Sequence, residues 1–507
     1  MTSIKYLSLN KFQRFLVGVG RFFKSIVLGI VGFFKGFGKF FVKLGGWIVK
    51  PFRFIGQSWK KGSPMVRVNF FLMGFYQLFH KQVMRGILFL LYEVVFIWFM
   101  IAIGGPNLGQ LGSLGAFGQT SSYVANVAEG FTTTMKGDSS FSILLYSIAT
   151  FILIIIFIVL WFLSIRDARS LQDNIAIGRY AKNIDFFKDL LDKKYHTTLL
   201  AVPLVGLVGF TVIPVIFMII TGFTNYSGQQ YYLFDWVGVD NYSNLFSNLG
   251  SASGSVGLVD IFFKVLGWTL LWSLLATFTN YFLGMIIALL INKKGIKLKK
   301  LWRTVLILTI AVPQFVSLLL INQMMSTTGF LTKLMENLGW IAHDTTPFDY
   351  TIISRIVIVI VNMWVGVPYT MLICSGILMN IPEDLYESAR IDGATPFRMF
   401  MSITLPYMLF ITGPYLLSQF IGNINNFNII YLLSQGKPSF NISSLGYGDV
   451  GETDLLITWI YKMSMEGQDK NYAVACVLGV LVFVIIAFFS LIFYGNSNSV
   501  KNEEDFQ

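Results

Sequence analysis

The chain has 507 residues, of which 55% are apolar and only 13% are charged, whereas water-soluble domains carry about 25% charged residues. Its apolar runs are long enough to cross the roughly 30 Å of hydrocarbon in a bilayer, so the composition excludes a water-soluble protein and predicts an all-α polytopic membrane protein. The formal charge of +12 is concentrated at the start, because residues 1–92 hold fifteen Lys and Arg and no Asp or Glu.

The first 85 residues (1–85) are predicted to form a basic amphipathic arm at the cytoplasmic face of the membrane. At about 100° per residue, seven of its cations fall on one side of a helix, and its Phe and Trp residues fill other directions. This pattern favours membrane lipid with anionic headgroups as the partner and not nucleic acid, because the apolar side chains would otherwise remain in water. The many glycines predict a broken helix, which is expected to end at Pro51. The seven cations are Arg14, Arg21, Lys24, Lys35, Lys39, Lys43 and Lys50.

Eight apolar segments are predicted to span the membrane. Lys and Arg are concentrated in segments 165–197 and 292–303, and cytoplasmic loops carry such an excess, so both termini of this plasma-membrane protein are predicted to be cytoplasmic. The first two spans form an accessory pair (86–164), which the linker 165–197 joins to a six-helix core (198–495) and a cytoplasmic tail (496–507). The predicted spans are 86–103, 141–164, 198–222, 265–291, 304–325, 352–379, 406–433 and 472–494.

Ionisable residues inside the predicted spans are rare. Glu93 lies in the first span, where a carboxylate costs on the order of 3 kcal/mol on insertion scales, so it is predicted to face protein or to be protonated. A proton-relay role is the less favoured alternative. His80, His196 and His343 have no metal-ligand spacing, and the chain has no Gly-rich phosphate loop ending in Lys-Ser or Lys-Thr. No metal, cofactor or catalytic residue is therefore expected in this chain.

The segment 380–405, between the sixth and seventh spans, has the pattern of a helix, a turn and a second helix. Pro382 fits the first turn of a helix, and the small pair Ser388-Ala389 would let another surface approach closely. Gly393 permits a sharp turn into a second short helix, which is expected to end at Pro406. An ordinary amphipathic loop is the alternative interpretation.

The spacing in this segment resembles the "EAA" loop of ATP-binding-cassette importer permeases, in which Glu-Ala-Ala is followed after three residues by Gly and after nine more by Ile-x-Leu-Pro. Here Glu387-Ser388-Ala389 is followed by Gly393 and then by Ile403-x-Leu405-Pro406. The resemblance implies that the coupling loop, residues 380–405, docks on a separate ATPase. It also implies that Glu387 is a candidate ion-pair partner there and that Gly393 shapes the turn.

Three further stretches resemble carbohydrate importers, in particular the larger membrane subunit of maltose and maltodextrin importers. Gly238-Val239-Asp240-Asn241-Tyr242 is similar to the Gly-Leu-Asp-Asn-Tyr segment of sugar-importer permeases. The sixth span contains the Gly-x-Pro-Tyr motif and the seventh the Asn-x-Asn-Asn-Phe motif, which line the sugar site in that subunit. Gln419 replaces a small hydroxyl residue of the family. The implied sugar contacts are Gly366, Tyr369, Gln419, Asn423 and Asn426.

The residue chemistry at these positions fits a sugar. Asn amides pair with vicinal hydroxyls, and an aromatic ring can cover the apolar face of a pyranose, while hydrogen bonding between helices is the alternative role of the Asn residues. Pro368, Pro414 and Gly422 are expected to interrupt their helices beside a cavity. Segment 223–264 is too short for the large folded insertion of some maltose-type subunits, so contacts with a binding protein are expected to be smaller or spread over other loops.

The sequence thus predicts the permease subunit of an importer for a maltodextrin-like oligosaccharide, without an ATPase site of its own. The resemblance implies four partners: a second homologous permease subunit, an ATPase dimer that holds ATP-Mg, an extracytoplasmic sugar-binding protein and the oligosaccharide substrate. An importer for another solute such as glycerol phosphate is one alternative, although phosphate would require Arg or Lys in the path. An ion-driven secondary transporter is the other, and it would require intramembrane carboxylates.

Overall fold

A computed structural model of the protein describes most of the chain from residue 50 to residue 496. The chain before residue 50 lies outside the described residues, and with it the amphipathic helix predicted there and all its cations except Lys50. The described residues are 50–115, 123–126, 131–134, 138–178, 188, 191–192, 195–230, 233–247, 258–293, 295–440, 450–466 and 470–496.

The described residues contain seven helices long and apolar enough to cross a membrane, and one bent pair of helices that would make an eighth span. Each coincides with a predicted span to within a few residues or a few turns, which confirms the predicted all-α polytopic fold. In chain order, the first to eighth spans are Val83–Gln110, Ser140–Ala176, Tyr195–Thr221, Val259–Asn292, the pair Lys299–Ala311 and Gln314–Met324, Thr351–Leu378, Pro396–Leu433 and Tyr472–Leu491.

Shorter elements precede or connect the spans. A two-stranded antiparallel sheet between the first two spans pairs Tyr123 with Thr134 and Asn126 with Phe131. The short elements are α1 (Pro64–Val68), α2 (Phe75–Phe79), β1 (Tyr123–Asn126), β2 (Phe131–Thr134), α3 (Asp240–Ser247), α4 (Phe330–Asn337), α5 (Glu383–Ile391) and α6 (Leu456–Met465).

The chain divides into two compact units at Val239 and Asp240. The first unit contains the first three spans, and the second contains the last five. The third span therefore clusters with the two accessory spans, and the six-helix core predicted for residues 198–495 stays a prediction.

In the first unit, the stretch before the first span packs on the second span. The Ser164 hydroxyl accepts hydrogen bonds from Nδ2 of Asn69 (2.9 Å) and from the N–H of Gly74 (3.1 Å), and the Ser164 carbonyl accepts one from Nε2 of Gln77 (3.1 Å). All four residues are buried. The end of the predicted arm is therefore a folded segment attached to the second span.

Glu93 of the first span faces the same folded segment. Its side chain is buried, and its carboxylate accepts a hydrogen bond from the N–H of Met73 at 2.7 Å. The prediction that Glu93 faces protein is confirmed. Residues 50–61 are helical, with Pro51 in the first described turn, where a helix does not need the missing N–H. The amphipathic helix that was predicted to end at Pro51 lies outside the described residues, so its end stays a prediction.

Three spans continue past a proline by way of a π turn. A π turn lies just before Pro106, Pro214 and Pro406, and in each the N–H of the residue before the proline donates to the carbonyl five residues back. Since proline lacks an N–H and its ring clashes with the carbonyl four residues back, the wider π turn accommodates the ring. The second helix of the coupling loop was expected to end at Pro406, and this is wrong because the π turn carries it into the seventh span.

The expected interruptions at Pro368, Pro414 and Gly422 are also wrong. The sixth span is one helix that includes Pro368, and the helix Leu405–Ile424 includes both Pro414 and Gly422. These positions are compatible with helix because neighbouring helices can satisfy the freed backbone groups.

The breaks occur instead in the fifth span and near the end of the seventh. The two helices of the fifth span meet at 84°, where Val312 is extended because the residue before Pro313 avoids the helical region. The seventh span is interrupted at Asn425 and Asn426 before the helix Phe427–Leu433. Val312 and Pro313 at the first break are exposed, as is Asn425 at the second, and backbone polar groups freed within a span require protein or a wet cavity to satisfy them.

The fourth span is the centre of the second unit. A Cβ on Gly284 would lie 2.9 Å from the backbone N of Met371, so the fourth and sixth spans approach each other closely. Tyr281 is fully buried, and its hydroxyl is hydrogen-bonded to that of Thr412 in the seventh span at 2.8 Å. The fourth span therefore positions the two spans that carry the predicted sugar contacts.

Candidate coupling surface and translocation site

The coupling loop is a helix–turn–helix that closes through a glycine. Gly393 has φ of +73°, a left-handed conformation that glycine adopts at little cost. The N–H of Gly393 donates to the carbonyl of Arg390 (3.0 Å), and the N–H of Ala394 donates to that of Ala389 (2.9 Å). This pair of hydrogen bonds satisfies the last carbonyls of α5, so the turn geometry depends on residue 393.

All four predicted coupling residues lie on this loop, where three are exposed and Ala389 is half-buried. Two apolar side chains near them, Ile391 and Phe397, are 87% and 70% exposed. Clustered exposed apolar side chains mark interaction surfaces. The loop therefore has the features of a docking surface for another subunit. Its predicted residues are Glu387, Ser388, Ala389 and Gly393.

A tyrosine that the sequence analysis did not single out connects the coupling loop to the bundle. The hydroxyls of Tyr386 and Thr404 are hydrogen-bonded at 2.8 Å, and Thr404 is buried in the π turn at the start of the seventh span. The signal was available, because Tyr386 is the one aromatic residue of α5. This contact gives α5 a direct attachment to the seventh span.

Among the predicted sugar contacts, Asn423 and Asn426 form one network. The Asn423 side chain is 8% exposed, and its Nδ2 donates to Oγ1 of Thr277 in the fourth span at 3.0 Å. Nδ2 of Asn426 donates to Oδ1 of Asn423 at 3.4 Å, and Asn426 is half-buried, as is Gln419. In this conformation Asn423 makes an interhelical hydrogen bond, so Asn426 is the better placed of the two for a ligand.

Tyr369 belongs to a second group, at the bend of the fifth span. It is about half exposed and lines a cavity of about 250 Å³ together with Pro313, Gln314, Ser317 and Trp364. Ligand pockets in proteins start at about 300 Å³, so the cavity is close to that size. Gln314 and Ser317 were not predicted, although polar residues just after a proline in an apolar span are a usable signal.

Gly366 lies where the fourth and sixth spans touch. A Cβ at this position would come within 2.3 Å of Nδ2 of Asn280, so close helix packing alone explains the glycine. Oδ1 of Asn280 and Nδ2 of Asn362 are buried and have no hydrogen-bond partner among the described residues. Such groups are costly unless a ligand or water satisfies them, so these two side chains can still form hydrogen bonds with a ligand or with water.

The cation near the start of the sixth span, Arg355, already has an ion-pair partner. Arg355 donates to the carbonyl (2.9 Å) and carboxylate (3.0 Å) of Glu452, and its guanidinium lies 4.5 Å from the ring centre of Trp268. These contacts hold Arg355 against the loop after the seventh span. They leave it poorly placed to neutralise an anionic substrate.

A helical bundle with buried polar groups and an exposed coupling loop joined to the seventh span are the features expected of the membrane component of a transport system. A sequence model of the family "Binding-protein-dependent transport system inner membrane component" matches residues 280–498. The maltodextrin transport system permease protein MalC of Streptococcus pneumoniae serotype 4 is 30% identical over 448 residues, which cover 85% of this chain and 95% of that protein. The chain belongs to this family of binding-protein-dependent transport permeases.

Other relatives match over the same extent. The maltodextrin permease protein MdxF of Bacillus subtilis is 32% identical over 448 residues, covering 85% of this chain and 95% of that protein. The galactooligosaccharide permease protein GanP of Bacillus subtilis is 30% identical over 442 residues, covering 85% and 96%. The family resemblance identified at the coupling loop is thereby confirmed. The chain is a multi-pass membrane permease and a component of a transporter.

Proposed function

We propose that this chain is the permease subunit of an ATP-driven importer for a sugar or oligosaccharide of the maltodextrin type. The observation that carries the proposal is the connection from the exposed coupling loop, through the Tyr386–Thr404 contact, to the seventh span, which bears Asn423 and Asn426. The transport systems named for its relatives, which carry maltodextrin and galactooligosaccharides, support the substrate class.

In this proposal the chain works with three kinds of partner. A second homologous permease completes the translocation path, and an extracytoplasmic binding protein delivers the sugar to its outer end. An ATPase dimer binds ATP-Mg and also binds the coupling loop, where Glu387 is a candidate ion-pair residue. Both chain termini and the coupling loop lie on the cytoplasmic side. All ATP chemistry takes place in the partner, and this chain converts its movement into a change of access.

The sugar site is proposed to involve Gly366, Tyr369, Gln419, Asn423 and Asn426. Asn426 and Gln419 are half-buried and can pair with vicinal hydroxyls as donor and acceptor. The exposed ring of Tyr369 can lie against the apolar face of a pyranose. The unpaired atoms of Asn280 and Asn362 add capacity for hydroxyl groups beside Gly366, whose lack of a side chain leaves room for Asn280.

Another solute, a phosphate ester, and another energy source, a proton gradient, fit less well. A phosphate ester would require cations in the path, and Arg355 is held by Glu452 and Trp268. Proton coupling would require a carboxylate free to exchange protons inside the bundle, and the Glu93 carboxylate is buried against the N–H of Met73. Both observations favour an uncharged polyhydroxylated substrate and an external energy source.

Reconstitution tests the proposal. Proteoliposomes that contain this chain, its partner permease, the ATPase subunits and the binding protein are expected to accumulate radiolabelled maltotriose when ATP is supplied. Accumulation should stop with a hydrolysis-deficient ATPase and persist in the presence of an uncoupler. Uptake that survives loss of ATP hydrolysis but stops with the uncoupler would instead identify a secondary carrier. Competition by glycerol phosphate but not by maltodextrins would reassign the substrate.

A further inference from the structure

A second polar cavity lies at the predicted outer end of the seventh span, away from the residues implied by the family resemblance. Its volume is about 280 Å³, close to the roughly 300 Å³ at which ligand pockets begin. Its wall comes from three segments: the end of the seventh span, the loop that follows it, and α6. The polar and aromatic wall residues are Tyr431, Gln435, Lys437, Ser439, Lys462 and Glu466.

The wall of this outer cavity is fixed by a buried ion pair. Nζ of Lys462 lies 2.7 Å from Oδ2 of Asp454, with the two side chains 7% and 0% exposed. Asp454 also accepts hydrogen bonds from the N–H of Gly451 (2.8 Å) and the hydroxyl of Thr458 (2.8 Å), and Lys462 donates to the carbonyl of Gln435 (2.6 Å). Burial raises the pKa of the Asp454 carboxyl, while Lys462 and these hydrogen bonds oppose the rise. Lys462 is thus a neutralised part of the scaffold.

Backbone contacts hold the two loop strands of the wall together. The N–H of Glu452 donates to the carbonyl of Pro438 (2.8 Å), and that of Thr453 donates to the carbonyl of Gly436 (3.2 Å). A Cβ on Gly451 would lie 2.0 Å from the Gly436 oxygen, so the strands touch at two glycines. The cavity is therefore bounded by a rigid frame.

Three aromatic rings connect this cavity to the predicted sugar site. Phe427 follows Asn426 directly, and its ring is stacked on that of Tyr431 with centroids 4.7 Å apart and planes at 21°. Tyr461 of α6 packs edge-on against both, at 4.8 Å and 5.1 Å. All three rings are half-buried. Five residues of helix span about 8 Å, so Asn426 and the cavity are separated by the scale of one or two sugar rings.

The groups that face the cavity suit a neutral sugar unit. The Tyr431 hydroxyl donates to Oε1 of Glu466 at 2.5 Å, which leaves further carboxylate lone pairs as acceptors for sugar hydroxyls. Gln435 and Lys437 border the same space. Lys437 and Glu466 bring one charge of each sign to the wall, which favours a neutral ligand over an ion. The polar wall disfavours an apolar ligand, and the ring of Tyr431 offers an apolar face to a pyranose.

We propose that this outer cavity binds one sugar unit of an oligosaccharide while another unit contacts the site around Asn426. The inference rests on the proposed function and deepens it, because this subunit would then distinguish oligosaccharides by chain length. A disaccharide would occupy the inner site alone. A longer oligosaccharide would engage both sites through the aromatic rings of Phe427 and Tyr431.

Uptake kinetics with a disaccharide and a heptasaccharide test this. In the complete reconstituted importer, Tyr431→Leu is expected to raise KM for the heptasaccharide by about tenfold, on the scale of one lost aromatic contact, and to leave KM for the disaccharide within about twofold. Tyr431→Phe keeps the ring and should change KM for the heptasaccharide by less than about threefold. Trp340→Leu, at another exposed aromatic residue on the predicted outer side, is the matched control and should change neither.

A cavity-filling variant keeps the test decisive if Tyr431→Leu fails to assemble. Glu466→Trp, at an exposed position just after α6, should raise KM for the heptasaccharide selectively in complexes that retain the ATPase. Equal effects on both sugars, or none on either, with normal uptake by the wild type would overturn the outer site and leave the proposed function intact. A wild-type importer that transported neither sugar would overturn both.

Discussion

Replacement of Gly393 by valine separates backbone conformation from steric fit in the coupling loop. Gly393 has φ of +73°, and a Cβ there would meet nothing within 4 Å, so a side chain has room but the backbone is strained. The left-handed conformation costs other residues about 1–2 kcal/mol and is least compatible with β-branched side chains. Such a cost lowers the population of the present turn by about 5- to 30-fold, which would move α5 relative to the seventh span.

We expect Gly393→Val to insert normally but to lose sugar-stimulated ATP hydrolysis and uptake by a similar factor, or to lose the ATPase on purification. Gly393→Asn is the matched control, because asparagine tolerates this conformation while it adds comparable bulk. It should lose less than about threefold. If the valine and asparagine variants both took up sugar at the wild-type rate with the ATPase attached, the backbone argument would be refuted.

Three further predictions concern residues whose contacts differ in kind. Tyr386→Phe removes the hydroxyl contact with Thr404, a hydrogen bond of about 1 kcal/mol. It should reduce the amount of sugar transported per ATP hydrolysed about fivefold. Thr404→Val should cause the same loss, and the double variant should lose no more than either single variant. Asn426→Ala should raise KM for sugar about tenfold with unchanged thermal stability, whereas Asn423→Ala should lower stability by about 1–3 kcal/mol because it breaks a buried interhelical hydrogen bond. Glu93→Gln retains an acceptor for Met73 and should leave uptake unchanged.

The outcomes that would contradict these three are specific. Additive losses in the Tyr386 and Thr404 variants would show that the two hydroxyls act separately. A destabilised Asn426→Ala with unchanged KM would make Asn426 a packing residue. Loss of uptake in Glu93→Gln, with the protein still assembled, would revive the proton-relay alternative. Ser142→Ala serves as a control for expression and reconstitution, because Ser142 makes none of these contacts and its N–H, not its hydroxyl, donates to the helix-capping Ser139.

The number and placement of the spans were predictable, because only long apolar runs can satisfy their backbone inside lipid. The coupling loop was predictable for a similar reason. Its turn depends on Gly393, and its exposed residues form contacts that are local in the chain. Both features depend on residues that lie within a few tens of positions of one another, and such local patterns can be recognised in a single sequence.

The helix breaks were not predictable in the same way. A proline removes one N–H at a known position, but the π turn before Pro406 shows that the helix can widen there and continue. Pro313 does end a helix, with an 84° bend. Whether a helix widens or breaks depends on the helices that pack against it, and the residues around the proline do not identify those helices.

The side-chain partners in the candidate site were equally beyond the sequence. Asn423 pairs with Thr277, and Gly366 lies against Asn280, in each case across a long separation in the chain. Such pairs follow from how the fourth span packs between the sixth and seventh. The sequence therefore identified polar residues inside the bundle, while packing decided which of them remain available to a ligand.

The three hydrogen bonds at Ser164 change where this membrane protein can be shortened. Hydropathy alone would place the start of the membrane domain at the first apolar run, yet Asn69, Gly74 and Gln77 are the groups that satisfy Ser164 inside the second span. A chain trimmed to that run would leave the Ser164 hydroxyl and the Glu93 carboxylate without these hydrogen bonds. The smallest stable fragment is therefore expected to begin before Asn69, within a stretch that hydropathy alone would treat as dispensable.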